Sequence, residues 1–225
     1  MDWITKNWGW ATVVAIGLLP LISIIEMINL DFSGSGQLIT MESIPMRGRH
    51  SGGLPTEMSG AGMAVKQTGE WAIRWIVIIL SLTPFSILTG KKPSLSVRQA
   101  TGITAFAYAG LHFLFFCVDK GWMETFKEVG LVLGLVATLV MMVLAITSNT
   151  RSMKFLRKKW KKLHRLAYLA AILAVLHVAL LEHGDWAPYL IILAIGFLLR
   201  AKAIKGWFHL RRNNQNGQPI LNEVK

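Results

Sequence analysis

Cysteine is nearly absent: Cys117 is the only one in 225 residues. That excludes an internal disulfide and any metal site built from paired thiolates, and it leaves the redox compartment unrevealed. Charge is scarce too, at 16% of residues against 53% hydrophobic, far from the proportions of a soluble domain. Acid is the scarcer sign, with 12 Asp and Glu against 24 Lys and Arg and a net charge of +12. A nucleic-acid surface would spread such cations. Here they cluster between apolar segments, as topology signals do, and nucleic acid is set aside as a partner. Gly60-Ala-Gly62 lacks the third glycine and flanking strand of a dinucleotide fingerprint. The stretch after Ile204 is shorter than the ~100 residues a nucleotide-binding domain takes. No internal repeat stands out.

What is present is apolar length. Six segments approach the ~20 residues needed to span a bilayer, near 8–28, 70–88, 99–118, 128–147, 163–181 and 187–204. The first is too long for the core of a signal peptide and no Ala-x-Ala site follows it. The fold class expected is therefore an all-α membrane protein, a bundle of six transmembrane helices. Lys and Arg concentrate in alternate connections: Lys91, Lys92 and Arg98, then the run Arg151 to Arg165, then Arg200 to Arg212. The other connections hold only Arg47, Arg49, Lys66, Lys120 and Lys127. By the positive-inside rule both termini are cytoplasmic. The basic run 151–162 is mainly a topology signal, and also a dock for anionic lipid or an acidic redox partner. Residues 31–67, rich in Gly, Ser, Pro and Met, read as an external flexible loop. Met41, Met46, Met58 and Met63 with His50 are too irregularly spaced to stand as a copper site.

Three histidines fall inside apolar segments, where imidazole is costly and marks function by default. His112 lies ~21 Å along the third segment from Arg98, and His177 lies ~21 Å along the fifth from Leu163, at 1.5 Å per residue. The two share a level near the outer face, which suits one b-type haem held between helices 3 and 5 by two axial nitrogens. His164 sits ~20 Å from His177 at the cytoplasmic end, and no histidine on the third helix matches its depth. Its alternatives are a second haem with another ligand, a flavin, a quinone, a propionate contact, or a plain hydrogen bond to a carbonyl. Arg74 could neutralise a haem propionate, snorkel to the interface, or pair with Glu70. His50, His183 and His209 read as surface residues, and Glu26 as an interfacial one.

The segments Thr68-Gly-Glu-Trp-Ala-Ile-Arg-Trp, Leu82-Thr-Pro-Phe, Arg98-Gln-Ala-Thr-Gly, Ala105-Phe-Ala-Tyr-Ala-Gly-Leu-His and Trp160-Lys-Lys-Leu-His-Arg-Leu-Ala-Tyr-Leu-Ala resemble the ferric-reductase-like transmembrane family. Within it they are similar to the haem-binding membrane subunit of bacterial periplasmic methionine sulfoxide reductase systems. The likeness runs over about 68–205, between a first helix (1–30) with its loop (31–67) and a basic, polar tail (206–225). It implies an inner-membrane b-haem subunit of an oxidoreductase. Such a subunit takes electrons from quinol or a cytosolic flavin reductase and passes them to a periplasmic molybdoenzyme that repairs oxidised methionine. It also implies His112, His164 and His177 as iron ligands, with Arg74 and Arg98 beside the cofactor. A second haem, FMN and a quinone are the further cofactors it allows. Larger relatives carry a fourth histidine and a flavin and nicotinamide domain, which this chain lacks. A stand-alone ferric or cupric reductase shares the chemistry. From another class comes a proton-relaying transporter, against which stands the lack of paired intramembrane carboxylates.

The charge asymmetry makes a topological prediction. Reporter fusions at Lys225 and within 151–162 read cytoplasmic, and one at Ser51 reads external. A cytoplasmic Ser51 reverses the assigned direction of electron flow.

Overall fold

A computed structural model of the chain describes residues 2–26, 28–30, 39–41, 44–46, 56–181, 186–201 and 206. Their order is α1 (Asp2–Ile25), β1 (Ile28–Leu30), β2 (Ile39–Met41), β3 (Ile44–Met46), β4 (Thr56–Met58), α2 (Gly60–Thr89), α3 (Leu95–Asp119), a 3₁₀ turn (Trp122–Phe126), α4 (Val129–Ile146), α5 (Thr150–Leu156), α6 (Lys158–Leu163), α7 (Leu166–Leu180) and α8 (Ala187–Leu199). Among the described residues five helical runs are long and apolar enough to cross a membrane: α1, α2, α3, α4 and the α6–α7 run Lys158–Leu180. The chain is a multi-pass membrane protein with a helical body. The expected sixth span is shorter, since α8 has 13 residues, about 20 Å of helix against a hydrocarbon core of ~30 Å. Residues 202–204, the end of that expected span, lie outside the described residues.

The stretch expected as a plain loop has more order than its composition suggests. β1 pairs antiparallel with β2 and β3 with β4, and α2 begins at Gly60 rather than near Glu70. Ser59 explains the early start. Its hydroxyl accepts from Gly62 N at 3.0 Å as the N-cap, an advantage of about 1 kcal/mol. The same hydroxyl bonds Asp119 Oδ1 at the end of α3, so one residue ties two helix termini. At the other end Gly90 closes α2 in the left-handed region, φ 77°, where a side chain is disfavoured. Ser94 then caps α3 by accepting from Val97 N.

Inside the bundle small residues, Ala72, Ala105, Ala109, Ala137, Ala170 and Ala171, are buried beside larger ones such as Trp75, Tyr108 and Met141. Membrane helices have no hydrophobic driving force between them, so close approach over small residues carries the packing. Large apolar side chains point outward, Leu114 62% exposed and Leu198 62%, as lipid-facing groups do. α2 pairs most extensively with α3, and α4 with α7. α1 lies against α3, where the Tyr108 hydroxyl, buried, donates to Gly17 O at 2.6 Å.

Proline explains how α8 attaches. Pro84 sits within α2 and has no N–H, so the carbonyl four residues earlier loses its helical donor. That carbonyl is Leu80 O, and Arg200 Nη2 at the end of α8 donates to it. α8 also packs close to Pro84 at Gly196, where a Cβ would stand 3.4 Å from Pro84 Cγ, an ordinary contact.

The α1–α3 contact predicts a packing-sensitive glycine. A Cβ on Gly17 would meet Thr104 Cγ2 at 2.8 Å, so Gly17→Ala overpacks the interface and lowers stability by about 1–3 kcal/mol. Thermal unfolding in detergent reads this, and an unchanged midpoint contradicts the packing.

Candidate functional site

His112 belongs to α3 and His177 to α7. The bundle brings their rings together, centroids 6.1 Å apart with planes crossing at 78°. Equal depth along the two helices predicts a shared level, and the distance agrees with it. Each ring is held by the same device. His112 Nδ1 lies 2.8 Å from Val65 O on α2, and His177 Nδ1 lies 2.8 Å from Gly130 O on α4. A carbonyl can only accept, so both rings carry the proton on Nδ1 and the lone pair on Nε2. This is the carbonyl-oriented tautomer that metal-ligating histidines adopt.

Four residues after each carbonyl stands a glycine, Gly69 after Val65 and Gly134 after Gly130. A Cβ on Gly69 would lie 2.9 Å from His112 Nδ1, and one on Gly134 would lie 2.8 Å from His177 Nδ1. Each imidazole therefore rests in a notch that only glycine leaves open. Both histidines stand 47 residues after the carbonyl they bond. The α2–α3 and α4–α7 pairs are two copies of one half-site, offset by 65 positions. Sequence reasoning missed both glycines and this repeat. The detectable signal is a glycine 43 residues before each of the two histidines, a spacing with no meaning until the helices are paired.

These residues fit an axial ligand pair. A metal–imidazole bond of ~2.0–2.1 Å, plus ~1.1 Å to the ring centre, sums over two ligands to ~6.2–6.4 Å. No group of three or more His, Cys, Asp or Glu able to hold a bare ion exists among the described residues. Two imidazoles alone do not complete a tetrahedral site, whereas a macrocycle needs only the two axial positions filled.

His164 is elsewhere, at the opposite end of the bundle where α3 and α7 begin and α2 and α4 end. It closes α6, its ring lies on Trp160 with centroids 4.1 Å apart, and its Nε2 is 3.3 Å from Thr147 Oγ1. Thr147 donates its own proton to Val143 O at 2.8 Å, so it accepts from His164 Nε2. The lone pair of His164 is then on Nδ1, the reverse of the other two rings. Trp160 Nε1 donates to Thr147 O at 2.9 Å, which fixes the stack. His164 lines a cavity of about 380 Å³ together with Arg98, Gln99, Met141, Tyr168 and Arg200. No other histidine among the described residues lines it.

Of the two arginines expected beside a cofactor, Arg98 lines that cavity. Arg74 is paired with Glu70 at 2.9 Å and lies over Trp71 at 4.8 Å. The pair is partly exposed and contributes little stability. His50, His183 and His209 lie outside the described residues.

The family model described as the ferric reductase like transmembrane component matches residues 68–175, just under half of the chain. It takes in His112 and His164 and stops two residues short of His177. The chain is 37% identical over 126 residues to the protein-methionine-sulfoxide reductase heme-binding subunit MsrQ of Xanthomonas euvesicatoria, and 36% identical to that of Xanthomonas campestris. Each match takes in 53% of this chain and 58% of the relative, so the chain spans little more than half the length of these relatives. The magnetosome protein MamZ of Magnetospirillum gryphiswaldense is 35% identical over 147 residues, 61% of this chain and 23% of that protein. No solved structure matches.

The notches predict that Gly134→Ala and Gly69→Ala each push an imidazole from its seat while leaving the helix formed. Both variants lose low-spin haem absorbance relative to the parent, and unaltered spectra contradict the notch.

Proposed function

We propose that this multi-pass chain, matching a ferric-reductase-like transmembrane component over residues 68–175, is the haem-binding membrane subunit of an electron-transfer system. His112 on α3 and His177 on α7 would hold one b-type haem between them. The observation that carries this is the pair of rings 6.1 Å apart, each fixed through Nδ1 to a main-chain carbonyl. Haem supplies a one-electron redox centre when bound. The protein's part would be to hold the group through the Nε2 atoms of His112 and His177. A haem held by both imidazoles would leave no open position for a substrate and would serve electron transfer. The two carbonyl bonds keep the imidazoles oriented and raise their basicity as ligands. Val65 and Gly130 supply these carbonyls from the helix backbone, and a backbone cannot be displaced as a side chain can.

We assign the direction from the distribution of charge. The His164 end is the basic end and is assigned to the cytoplasm, where quinol or a cytosolic flavin reductase donates. The paired-histidine end is assigned to the periplasm. The names of the Xanthomonas relatives support a methionine sulfoxide reductase as the acceptor, a periplasmic molybdoenzyme on our reading. His164, with Arg98, serves the entry side: a second haem, FMN or a quinone in the cavity beside it. Arg74, partnered by Glu70, is assigned to the outer interface, within reach of a haem acid group. A proton relay is disfavoured by the interior, whose buried polar residues, among the described ones, are three threonines.

Detergent-purified protein shows sharp paired absorption bands on dithionite reduction. His112→Ala and His177→Ala each lose that haem or convert it to high spin, and the double variant is no worse than either, because the two act as one unit. His164→Ala keeps the outer haem's spectrum. Folded, haem-free parent protein ends the proposal, and so does full low-spin haem in His177→Ala.

A further inference from the structure

The basic run between α4 and α7 is not absorbed by the electron-transfer reading. It folds as α5 and α6 with Arg157 between them, and Arg151, Lys154, Arg157, Lys158, Lys159 and Lys162 are all exposed. No Asp or Glu occurs between Glu128 and Glu182. The three ion pairs among the described residues involve none of these cations. A topology signal asks only for such a concentration of Lys and Arg. Two features go beyond it. Phe155 is 87% exposed, the most exposed large apolar side chain among the described residues. Arg151, Lys154 and Phe155 stand at i, i+3 and i+4, so the phenylalanine shares one face of α5 with two cations.

The second feature is Arg157 itself, at φ 47° and ψ −120°, the one non-glycine with positive φ among the described residues. That conformation strains an L-residue and suits glycine. The turn is bonded on both sides, Arg157 N to Met153 O at 3.0 Å and Trp160 N to Arg157 O at 3.2 Å, which keeps the arginine in the middle of the run. Both short helices are also held at the end of the apolar bundle. Residues 147–149 alone join α4 to α5, a reach of about 10 Å. Asn149 bonds both sides of that link, donating to Ile146 O at 2.7 Å and accepting from Ser152 N at 2.8 Å. Trp160 on α6 is tied to the same link through Thr147 O. Ile146, where α4 ends, is 65% exposed, as lipid-facing residues are.

We propose that α5, Arg157 and α6 form a docking surface for anionic phospholipid of the adjoining leaflet. Phe155 enters the upper acyl region, and Arg151, Lys154, Arg157, Lys158 and Lys159 hold the phosphate groups around it. An apolar side chain set among cations at the membrane boundary is the composition of an interfacial helix, and clustered Lys and Arg next to a span attract acidic head groups. Arginine adds a planar fork that matches phosphate oxygens, which gives the strained Arg157 a purpose that glycine could not serve. A soluble acidic partner would use the same cations, but it would have to cover Phe155 where hydrocarbon already lies alongside. The surface is separate from the cavity lined by His164, and it requires neither haem nor a direction of electron flow.

The test is native mass spectrometry of full-length protein in neutral maltoside detergent, given equal amounts of phosphatidylglycerol and phosphatidylcholine of one chain length. Phosphatidylglycerol is retained about tenfold over phosphatidylcholine. The triple change Lys154→Gln, Lys158→Gln and Lys159→Gln removes most of that preference, while Arg151, Arg157, Lys161, Lys162 and Arg165 remain to hold the topology. Phe155→Ser lowers retention of phosphatidylglycerol with no change in charge. Arg157→Gly, which removes the strain together with the cation, lowers retention while the thermal unfolding midpoint holds or rises. Lys120→Gln with Lys127→Gln, at the other end of the bundle, leaves retention unchanged. Equal retention of the two lipids overturns the proposal. So does an undiminished preference in the triple variant, which leaves the run to a soluble acidic partner or to topology alone. Should the triple variant fail to fold, undiminished retention in Arg157→Gly decides against the lipid surface.

Discussion

An imidazole Nδ1–H bonded to a main-chain carbonyl is the contact on which the rest of the molecule depends, and it is made twice. In hydrocarbon there is no water to satisfy a ring nitrogen, so the ring must find its partner on a neighbouring helix. Val65 O and Gly130 O are those partners. Reaching them requires the ring to lie almost on the neighbour's backbone, which is why Gly69 and Gly134 face it with no side chain. The same requirement fixes which helices pair: α2 with α3, and α4 with α7. Two such units set face to face bring the two rings to one level. The site is thus a property of helix pairing as much as of the histidines.

The opposite end of the bundle is organised differently. Pro84 removes a donor from α2, and Arg200 uses the released carbonyl to secure α8. The consequence is a guanidinium beside the Tyr168 and Phe197 rings at a cavity that His164 and Arg98 also line. His164 is turned by Thr147 and stacked on Trp160, so it differs from the outer pair in tautomer as well as in position. The chain therefore has two chemically distinct ends, one with matched imidazoles and one where Arg98, Lys161, Arg165 and Arg200 line a cavity. That polarity is what a transmembrane conduit needs, with an entry and an exit that recognise different partners.

Much of this is legible in the sequence, for identifiable reasons. Hydropathy runs locate helices because a bilayer admits little else. A rise of 1.5 Å per residue converts position into depth, which is enough to set His112 and His177 at one level. What is not legible involves contacts between elements. The glycine notches depend on which helices touch, and no spacing within one helix reveals that. The early start of α2 rests on Ser59, which lies in a stretch whose Gly and Pro content reads as loop. α8 is shorter than the expected span because the expectation carried the segment on to Ile204, across Arg200 and Lys202, whereas the helix ends at Leu199. Gln99 does not stand out in the sequence, and its amide nitrogen is buried without an acceptor among the described residues at the cavity that Arg200 also lines.

The central claim is that His112 and His177 are the two axial ligands of one iron. Near-infrared magnetic circular dichroism of the oxidised protein reads the chemical pair of axial ligands directly, without reference to activity or partner. The account predicts the signature of two neutral imidazoles, abolished in both His112→Ala and His177→Ala and retained in His164→Ala. A histidine–methionine signature, a five-coordinate high-spin spectrum in the parent, or a bis-imidazole signature that survives loss of His177 contradicts it.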